Sequence, residues 1–211
     1  MKRPNSVKAL EDLGRVRLSK SFFMRDMLYS EVGNFFGVPN IPDDPDLAIE
    51  AASRLCTELL EPLQDRFGRI SIRSAFRSCE VNQLCNEKQL GCSRNEANYA
   101  AHIYDRRDAD GFMGATASIV VNGFIDYYER TGHWQALAWW IHDHLPPCNT
   151  YFFPKLAAFN IRWHERPGRT IKSYVPPKGV LTQPGMDNFD GSHASEYADF
   201  IAEFEKGSSS I

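Results

Sequence analysis

Two short segments carry residue types that bind metal ions, and the first is His142-Asp143-His144. Residues i and i+2 point about 200° apart on a helix. Both histidines can therefore bind one ion only if the segment is extended, because i and i+2 then share a face. Pro146 and Pro147 favour a helix that ends here, where histidines interact well with the helix dipole. The sequence thus favours a helix end, with His142 still able to support a metal ligand by a hydrogen bond.

The second segment, residues 94–111, is unusually polar. It carries Asp105, Asp108 and Asp110 together with Arg94, Arg106 and Arg107. A calcium loop of the EF-hand type needs acids at alternate positions and a glutamate at its end. The residues directly after Met113 do not supply that terminal glutamate. Two interpretations remain, a loop held by salt bridges and a charged cluster with a functional role.

Hydrophobic periodicity predicts the elements that would position these segments. The clearest helix covers 46–67, where leucine and alanine repeat at helical spacing before Gly68 ends it. Strands are predicted at 69–73, 115–121 and 157–163 in one sheet, with 168–174 as the hairpin partner of the last. Further helices are predicted at 22–29, 78–89, 124–130, 134–144 and 193–206, and a surface loop at 175–191. We expect one α+β domain over 1–206 with a small antiparallel sheet flanked by helices, and a flexible tail at 207–211.

Composition narrows the classes of protein. The 211 residues carry a net charge of −3, which argues against a generic nucleic-acid binder. No apolar run approaches the roughly 18 to 20 residues of a membrane helix, and the charged N-terminus has no signal-peptide core. We therefore expect a cytoplasmic protein with no membrane partner. Its five cysteines match no zinc-finger spacing and are expected to be reduced thiols, and its four tryptophans are expected in the core.

The first 85 residues resemble a known family. The resemblance lies in LSKSFFMRDMLYSE at 18–31, in the Asn40-x-Pro42 motif, and in LLEPLQDRFGRISIRSAFRSCEVN at 59–82. In order and spacing these are similar to the VanY-like zinc D-alanyl-D-alanine carboxypeptidases, which have the Hedgehog/DD-peptidase fold. The resemblance implies that fold here, and implies that Arg77 and Asn82 bind the substrate. A guanidinium suits a terminal carboxylate because it offers two parallel charge-assisted hydrogen bonds. The alternative is that Arg77 pairs with an acidic loop.

The resemblance also implies a zinc site, which this sequence matches incompletely. The family's first metal motif, S-x-H-x-x-G-x-A-x-D, is similar to GFMGATASIVV at 111–121. Without gaps, Gly111 stands in the histidine position and Ser118 in the acid position, and neither suits zinc. With an insertion, His102 becomes the first ligand.

The remaining ligands and the base also follow from the resemblance. Asp110 is the predicted acidic ligand, with Asp105 and Asp108 as alternatives, and His164 of the Trp-His pair is the last ligand. The position of the family's catalytic base, shortly before that histidine, holds Ile161. Glu165 is therefore the candidate base.

Two functions remain open. One is a zinc-dependent carboxypeptidase-like protein acting on peptides of the peptidoglycan type, with a rebuilt or lost catalytic centre. The other is a non-catalytic module that uses the old cleft for a protein, peptide or nucleic-acid partner, since a fold does not fix a function. Peptidoglycan lies outside the cytoplasmic membrane, so a protein without an export signal would reach it only by a route such as phage lysis or a virion.

Overall fold

The structure is a computed structural model that describes residues 1–208, with side chains to 207. The chain divides into two compact units. The first unit comprises Met1–Glu61, Ile72–Ser118 and Arg162–Arg166, and the second comprises Pro62–Ser71, Ile119–Ile161 and the chain from Pro167.

The helices and strands follow one another in a mixed order. The α-helices are α1 (Val7–Gly14), α2 (Met24–Leu28), α3 (Glu31–Phe36), α4 (Pro45–Leu55), α5 (Glu61–Phe67), α6 (Cys79–Glu87), α7 (Asn95–Asn98), α8 (Ile125–Thr131), α9 (Gln135–His144) and α10 (Ala194–Ser208). The strands are β1 (Ile70–Ser74), β2 (Gly114–Val121), β3 (Asn149–Phe152), β4 (Phe159–His164), β5 (Ile171–Ser173) and β6 (Gly179–Thr182). One π-helical turn, Cys56–Leu60, joins α4 to α5, so the helix predicted at 46–67 is observed with this interruption.

Local chemistry explains where α4 begins and which face it buries. The Asp44 side chain accepts a hydrogen bond from the Leu47 N–H at 3.2 Å, and Pro45 occupies the first turn, where its missing N–H costs nothing. The buried face is made of small residues and one leucine: Ala48, Ala51, Ala52 and Leu55. This amphipathic pattern is the signal that made the helix predictable from sequence.

The strands form one six-stranded sheet in the order β1-β2-β4-β3-β5-β6, which confirms the α+β class and the predicted common sheet of β1, β2 and β4. The expectation of an antiparallel sheet is wrong, because β3 pairs with β5 in parallel. The predicted hairpin is wrong for the same reason: β5 pairs with β3 and β6. The predicted surface loop at 175–191 is also corrected, since it contains β6.

The prediction of reduced thiols is wrong for two of the cysteines. Cys85 and Cys92 form a disulfide, whereas Cys56, Cys79 and Cys148 are free. The helix α6 contains Cys85 and ends at Glu87, before the chain reaches Cys92. Gly91 then adopts a positive φ of 87°, which turns the chain back toward α6 and brings Cys92 to Cys85.

The core of the second unit is aromatic. Phe67 packs edge-on against Trp140 with ring centroids 4.6 Å apart, and it also contacts Phe200 and Phe204 of α10. Trp134, Trp139 and Trp140 are all buried, as is Trp163 of the first unit, so the prediction of core tryptophans is confirmed. Contacts between α9 and α10 organise this core.

At the chain end, α10 extends to Ser208, so Gly207 and Ser208 of the predicted tail are helical, while residues 209–211 lie outside the described part. Among the described residues, no helix combines the length and apolar character needed to cross a membrane.

Candidate functional site

Arg77 lies in the first unit, in the segment between β1 and α6. Its backbone N–H donates to the His102 carbonyl at 2.7 Å. The Asn40 side chain brackets it, donating to the Phe76 carbonyl at 2.9 Å and accepting from the Ser78 N–H at 2.7 Å. These bonds fix the backbone on both sides of Arg77. Asn40 is the residue of the Asn40-x-Pro42 motif, and its positioning role was not predicted from the motif.

The Arg77 guanidinium is half-buried and makes only weak contacts with the chain. Its Nη1 contacts the Asn82 Oδ1 at 3.4 Å and the Cys92 Sγ at 3.2 Å. Within the part of the chain that the structure describes, Arg77 forms no salt bridge. Burial lowers the pKa of the guanidinium, and Tyr104 and Glu31 oppose that shift. An arginine stays charged in proteins, so this side chain offers a cation with unused donors.

Asn82 is fully buried and its amide is used within the chain. Its Nδ2 donates to the Ser93 carbonyl at 3.0 Å and to the Asn95 Oδ1 at 2.9 Å, and its Oδ1 accepts from the Asn98 Nδ2 at 3.3 Å as well as from Arg77. A primary amide with both ends engaged in this way has little capacity left for a ligand. As placed, Asn82 orients Arg77 and holds the 93–98 segment, and direct substrate binding by Asn82 stays a prediction.

His102 is a buried histidine of the first unit, with 5% of its surface exposed. Its Nδ1 lies 2.7 Å from the Ala75 carbonyl, so this nitrogen carries the proton and Nε2 holds a lone pair. Nε2 is buried and has no hydrogen-bond partner among the described residues. Burial lowers the pKa of His102 to about 3, and the positive charges of Arg77 and Arg162 push in the same direction. His102 is therefore neutral at neutral pH.

His164 lies at the end of β4 and contacts Asp108, not Asp110. Its Nε2 is 3.0 Å from the Asp108 Oδ2, and its Nδ1 is 3.0 Å from both the N and the O of Arg166. The other carboxylate oxygen of Asp108 accepts the backbone N–H groups of Asp110 and Phe112, which closes the loop. Burial opposes ionisation of Asp108, but these two backbone bonds and His164 outweigh it, and the pKa of Asp108 is lowered.

The other predicted acids are engaged elsewhere. Glu165 accepts the Met113 N–H at 2.7 Å and lies 3.6 Å from the Arg107 Nη1, so it holds the same loop. Asp110 is exposed. Asp105 is buried and accepts the Asp43 N–H at 2.6 Å, and burial raises its pKa.

The predicted zinc ligands are His102, Asp110 and His164. His102 has the right tautomer and a free lone pair, which suits a metal. As placed, however, His102, Asp110 and His164 do not form a group of three whose ligand atoms all lie within 4.8 Å of one another. Glu165 and Asp108 bind the loop instead. The side chains as arranged do not fit a three-ligand zinc centre, and this ligand set stays a prediction.

Gly114 explains how β2 and β4 approach each other here, a feature that sequence reasoning missed. A Cβ on Gly114 would lie 2.3 Å from the Ala100 carbonyl and 2.7 Å from the His164 Cδ2. Real side chains do not approach so closely, so this position requires glycine. Gly114 itself, within the segment GFMGATASIVV, was the available signal for it.

A separate group lies in the second unit. Among the described residues, His142, Asp143 and His193 are the group of three that could hold a metal ion, with one ligand atom from each within 4.8 Å of the others. His142 and Asp143 belong to the last turn of α9, as the sequence predicted for a helix end. His193 precedes α10 and was missed, because its partners lie 50 residues earlier in the chain.

Comparisons of this chain with family models, with curated proteins and with solved structures found no match. The resemblance to the DD-carboxypeptidases therefore stays a prediction that rests on the motifs themselves.

Proposed function

We propose that the first unit is a DD-carboxypeptidase-like binding module that recognises the C-terminal carboxylate of a peptide through Arg77, with the peptidase chemistry lost. The observation that carries the proposal is the half-buried Arg77 guanidinium, which has no salt-bridge partner in the described chain. Leaving a charge partly buried without a counter-ion is unfavourable. A ligand carboxylate would supply two parallel charge-assisted hydrogen bonds to the same group.

Neighbouring charges favour an anion at this place. Arg162 is half-buried, donates its Nε–H to the Ala100 carbonyl at 3.0 Å and, like Arg77, makes no salt bridge among the described residues. Both arginines act on His102, since their charges help to keep its pKa low. Both arginines therefore contribute a positive electrostatic potential at His102, and a bound anion would lower that potential.

Loss of the chemistry is supported by the state of the two groups that hydrolysis would need. The candidate base Glu165 is bound to the Met113 N–H and faces Arg107. The candidate ligand His164 has both ring nitrogens in contact with chain atoms. A peptidase would have to break these bonds before it could bind zinc and activate water, and general-base assistance alone is worth about 10² to 10⁴ in rate.

The test compares two forms of one peptide that ends in D-Ala-D-Ala and carries an N-terminal fluorophore, one with a free carboxylate and one with an amide. Fluorescence anisotropy should show tighter binding of the acid by about 10- to 100-fold, because a hydrogen bond to a charged group contributes about 1.5–3 kcal/mol. Arg77→Gln should remove the difference between acid and amide. Arg73→Gln, which removes an exposed arginine of β1, is the matched control and should keep it.

Two outcomes contradict the proposal. Equal binding of acid and amide by a correctly folded protein would remove the role of Arg77. Release of D-alanine with added zinc, abolished by His102→Ala or His164→Ala, would show that the peptidase chemistry has been retained.

A further inference from the structure

The second unit contains a histidine that is buried and incompletely bonded. His142 lies in the last turn of α9 with 5% of its surface exposed. Its Nε2 lies 2.8 Å from the Phe189 carbonyl, so Nε2 carries the proton. Its Nδ1 is buried and has no hydrogen-bond partner in the described part of the chain. Burial lowers the pKa of His142, and the charge of Arg169 adds to that effect. A neutral ring with an unused lone pair is the form in which histidine binds metals.

His193 has the same arrangement from the other side of the group. Its Nε2 lies 2.9 Å from the Asn188 carbonyl, and a carbonyl can only accept, so this nitrogen also carries a proton. Its ring stacks on Trp139 with centroids 3.9 Å apart, which fixes its plane. Metal-binding histidines commonly donate their second ring N–H to a carbonyl in this way, which sets the tautomer and the ring orientation.

The short contact between His193 and Asp143 requires a proton or a metal ion between the ring nitrogen and the carboxylate oxygen. The His193 Nδ1 lies 2.7 Å from the Asp143 Oδ1. With Nε2 already protonated, Nδ1 of a neutral ring would present a lone pair to a carboxylate. Either a second proton or a metal ion must lie between them. The other oxygen of Asp143 accepts the His193 backbone N–H at 2.7 Å and the Tyr197 hydroxyl at 3.1 Å.

Contacts with His193 and Tyr197 hold the Asp143 carboxylate in one orientation. The positive charge of Arg169 repels a cation at this place. Its Nη2 donates to the His142 carbonyl at 2.6 Å, so this guanidinium is held at the end of α9. The group as a whole supplies two nitrogen donors and one carboxylate oxygen.

We propose that His142, Asp143 and His193 form a binding site for a divalent transition metal of the zinc type. The ligand atoms are the two Nδ1 nitrogens and the Asp143 Oδ1, with one coordination position left for water. Two histidines and a carboxylate suit zinc, whereas calcium and magnesium prefer sites made of oxygen atoms. Ligands about 2.0–2.1 Å from tetrahedral zinc lie about 3.3 Å apart, so Asp143 and His193 need to separate by roughly half an ångström.

The metal would join two elements that are distant in sequence. His142 and Asp143 end α9, whereas His193 immediately precedes α10. An ion that binds the native state and not the unfolded chain stabilises the native state, so the site would act as a clip between these helices. This inference concerns the second unit and does not depend on the proposed function of the first unit.

The experiment uses the full chain purified without a histidine tag, stripped with a chelator and titrated with zinc by calorimetry and with cobalt by absorption. We expect one metal per chain, tetrahedral cobalt bands, and a melting temperature that rises with zinc but not with magnesium.

Variants decide which residues bind the metal. His142→Gln, His193→Gln and Asp143→Asn should each weaken zinc binding at least about 100-fold, since even partners of metal ligands are worth 10- to 100-fold. Asp143→Asn keeps the shape of the side chain in case a histidine variant does not fold. His144→Gln is the matched control on the same helix end, and His164→Gln separates this site from the first unit; both should bind zinc normally.

The proposal is overturned if the stripped protein binds no zinc, if Asp143→Asn binds it as tightly as the unmodified chain, or if His164→Gln abolishes binding. In each of these results the ion is absent or lies elsewhere. Failure of the peptide-binding test described above would leave this result unaffected, so the two proposals can be judged separately.

Discussion

The backbone around Gly114 leaves no room for a side chain. In Gly114→Ala the new Cβ would lie 2.3 Å from the Ala100 carbonyl oxygen, 2.7 Å from the His164 Cδ2 and 3.0 Å from the Trp163 carbonyl oxygen. Two of these three atoms belong to the backbone, which cannot rotate away as a side chain can. Relief to an ordinary contact of about 3.4 Å requires the backbone of β2 or of the 100 segment to move by about 1 Å.

Overpacking of this kind typically costs about 1–3 kcal/mol, and backbone contacts place Gly114→Ala at the upper end, about 2–3 kcal/mol. For a chain of this length, that predicts a melting temperature lower by about 4–12 °C in differential scanning calorimetry. Gly207→Ala is the control, because a Cβ there meets nothing within 4 Å and the residue is in α10. It should leave stability unchanged or raise it slightly. If Gly114→Ala melts with the control, the described packing of Gly114 against His164 is wrong.

Three further predictions concern titration, the disulfide and a buried carboxylate. The pKa of His102 is lowered to about 3 in the folded protein, so below pH 6.5 the unfolded state binds more protons at this residue. The free energy of unfolding should therefore fall as the pH drops from 6.5 toward 3, by up to about 1.4 kcal/mol per pH unit. In denaturant titrations, His102→Gln should flatten this slope. Cys85→Ser should lower stability by about 2 kcal/mol under oxidising conditions, and thiol counting on the unfolded, unreduced protein should give three free thiols, not five. The Glu61 carboxylate accepts hydrogen bonds from the Ser19 hydroxyl at 2.7 Å and the Ser21 hydroxyl at 2.9 Å. Glu61→Gln should therefore lower the free energy of unfolding by about 1–3 kcal/mol in chemical denaturation. Glu50→Gln, which changes an exposed residue, should leave that free energy unchanged.

Elements set by local chemistry could be predicted from the sequence. The helix after Asp44 was predictable because its cap, its first-turn proline and its alanine face lie within one short segment. The strand predicted at 69–73 is observed within one residue, because alternating apolar residues and Gly68 mark it. The helix end at His144 followed from Pro146 and Pro147 in the same way.

Features that depend on distant partners could not be predicted. The strand β5 has three residues, and it pairs with β3, which lies about 20 residues earlier in the chain. The alternation of its residues predicted a strand but did not show which strand it pairs with. The Cys85–Cys92 disulfide depends on the turn at Gly91, and the number and spacing of the cysteines alone predicted reduced thiols.

In the candidate site, too, residues marked by local motifs were predicted and residues that depend on distant partners were not. Arg77 was identified from the order of motifs, and its local partners agree with a role in binding. The contacts of Asp108 and Glu165 could not be predicted, because acids in a charged loop choose partners according to how the loop folds. His193 was missed because nothing near it in sequence marks it as a partner of Asp143.

The central claim, that Arg77 binds a peptide carboxylate that the protein does not cleave, is tested most directly by a crystal structure of the protein with zinc and a peptide ending in D-Ala-D-Ala. We predict an intact peptide whose two carboxylate oxygens lie about 2.7–2.9 Å from the Arg77 guanidinium nitrogens. A peptide that has lost its terminal residue, or one whose carboxylate lies away from Arg77, would contradict the account.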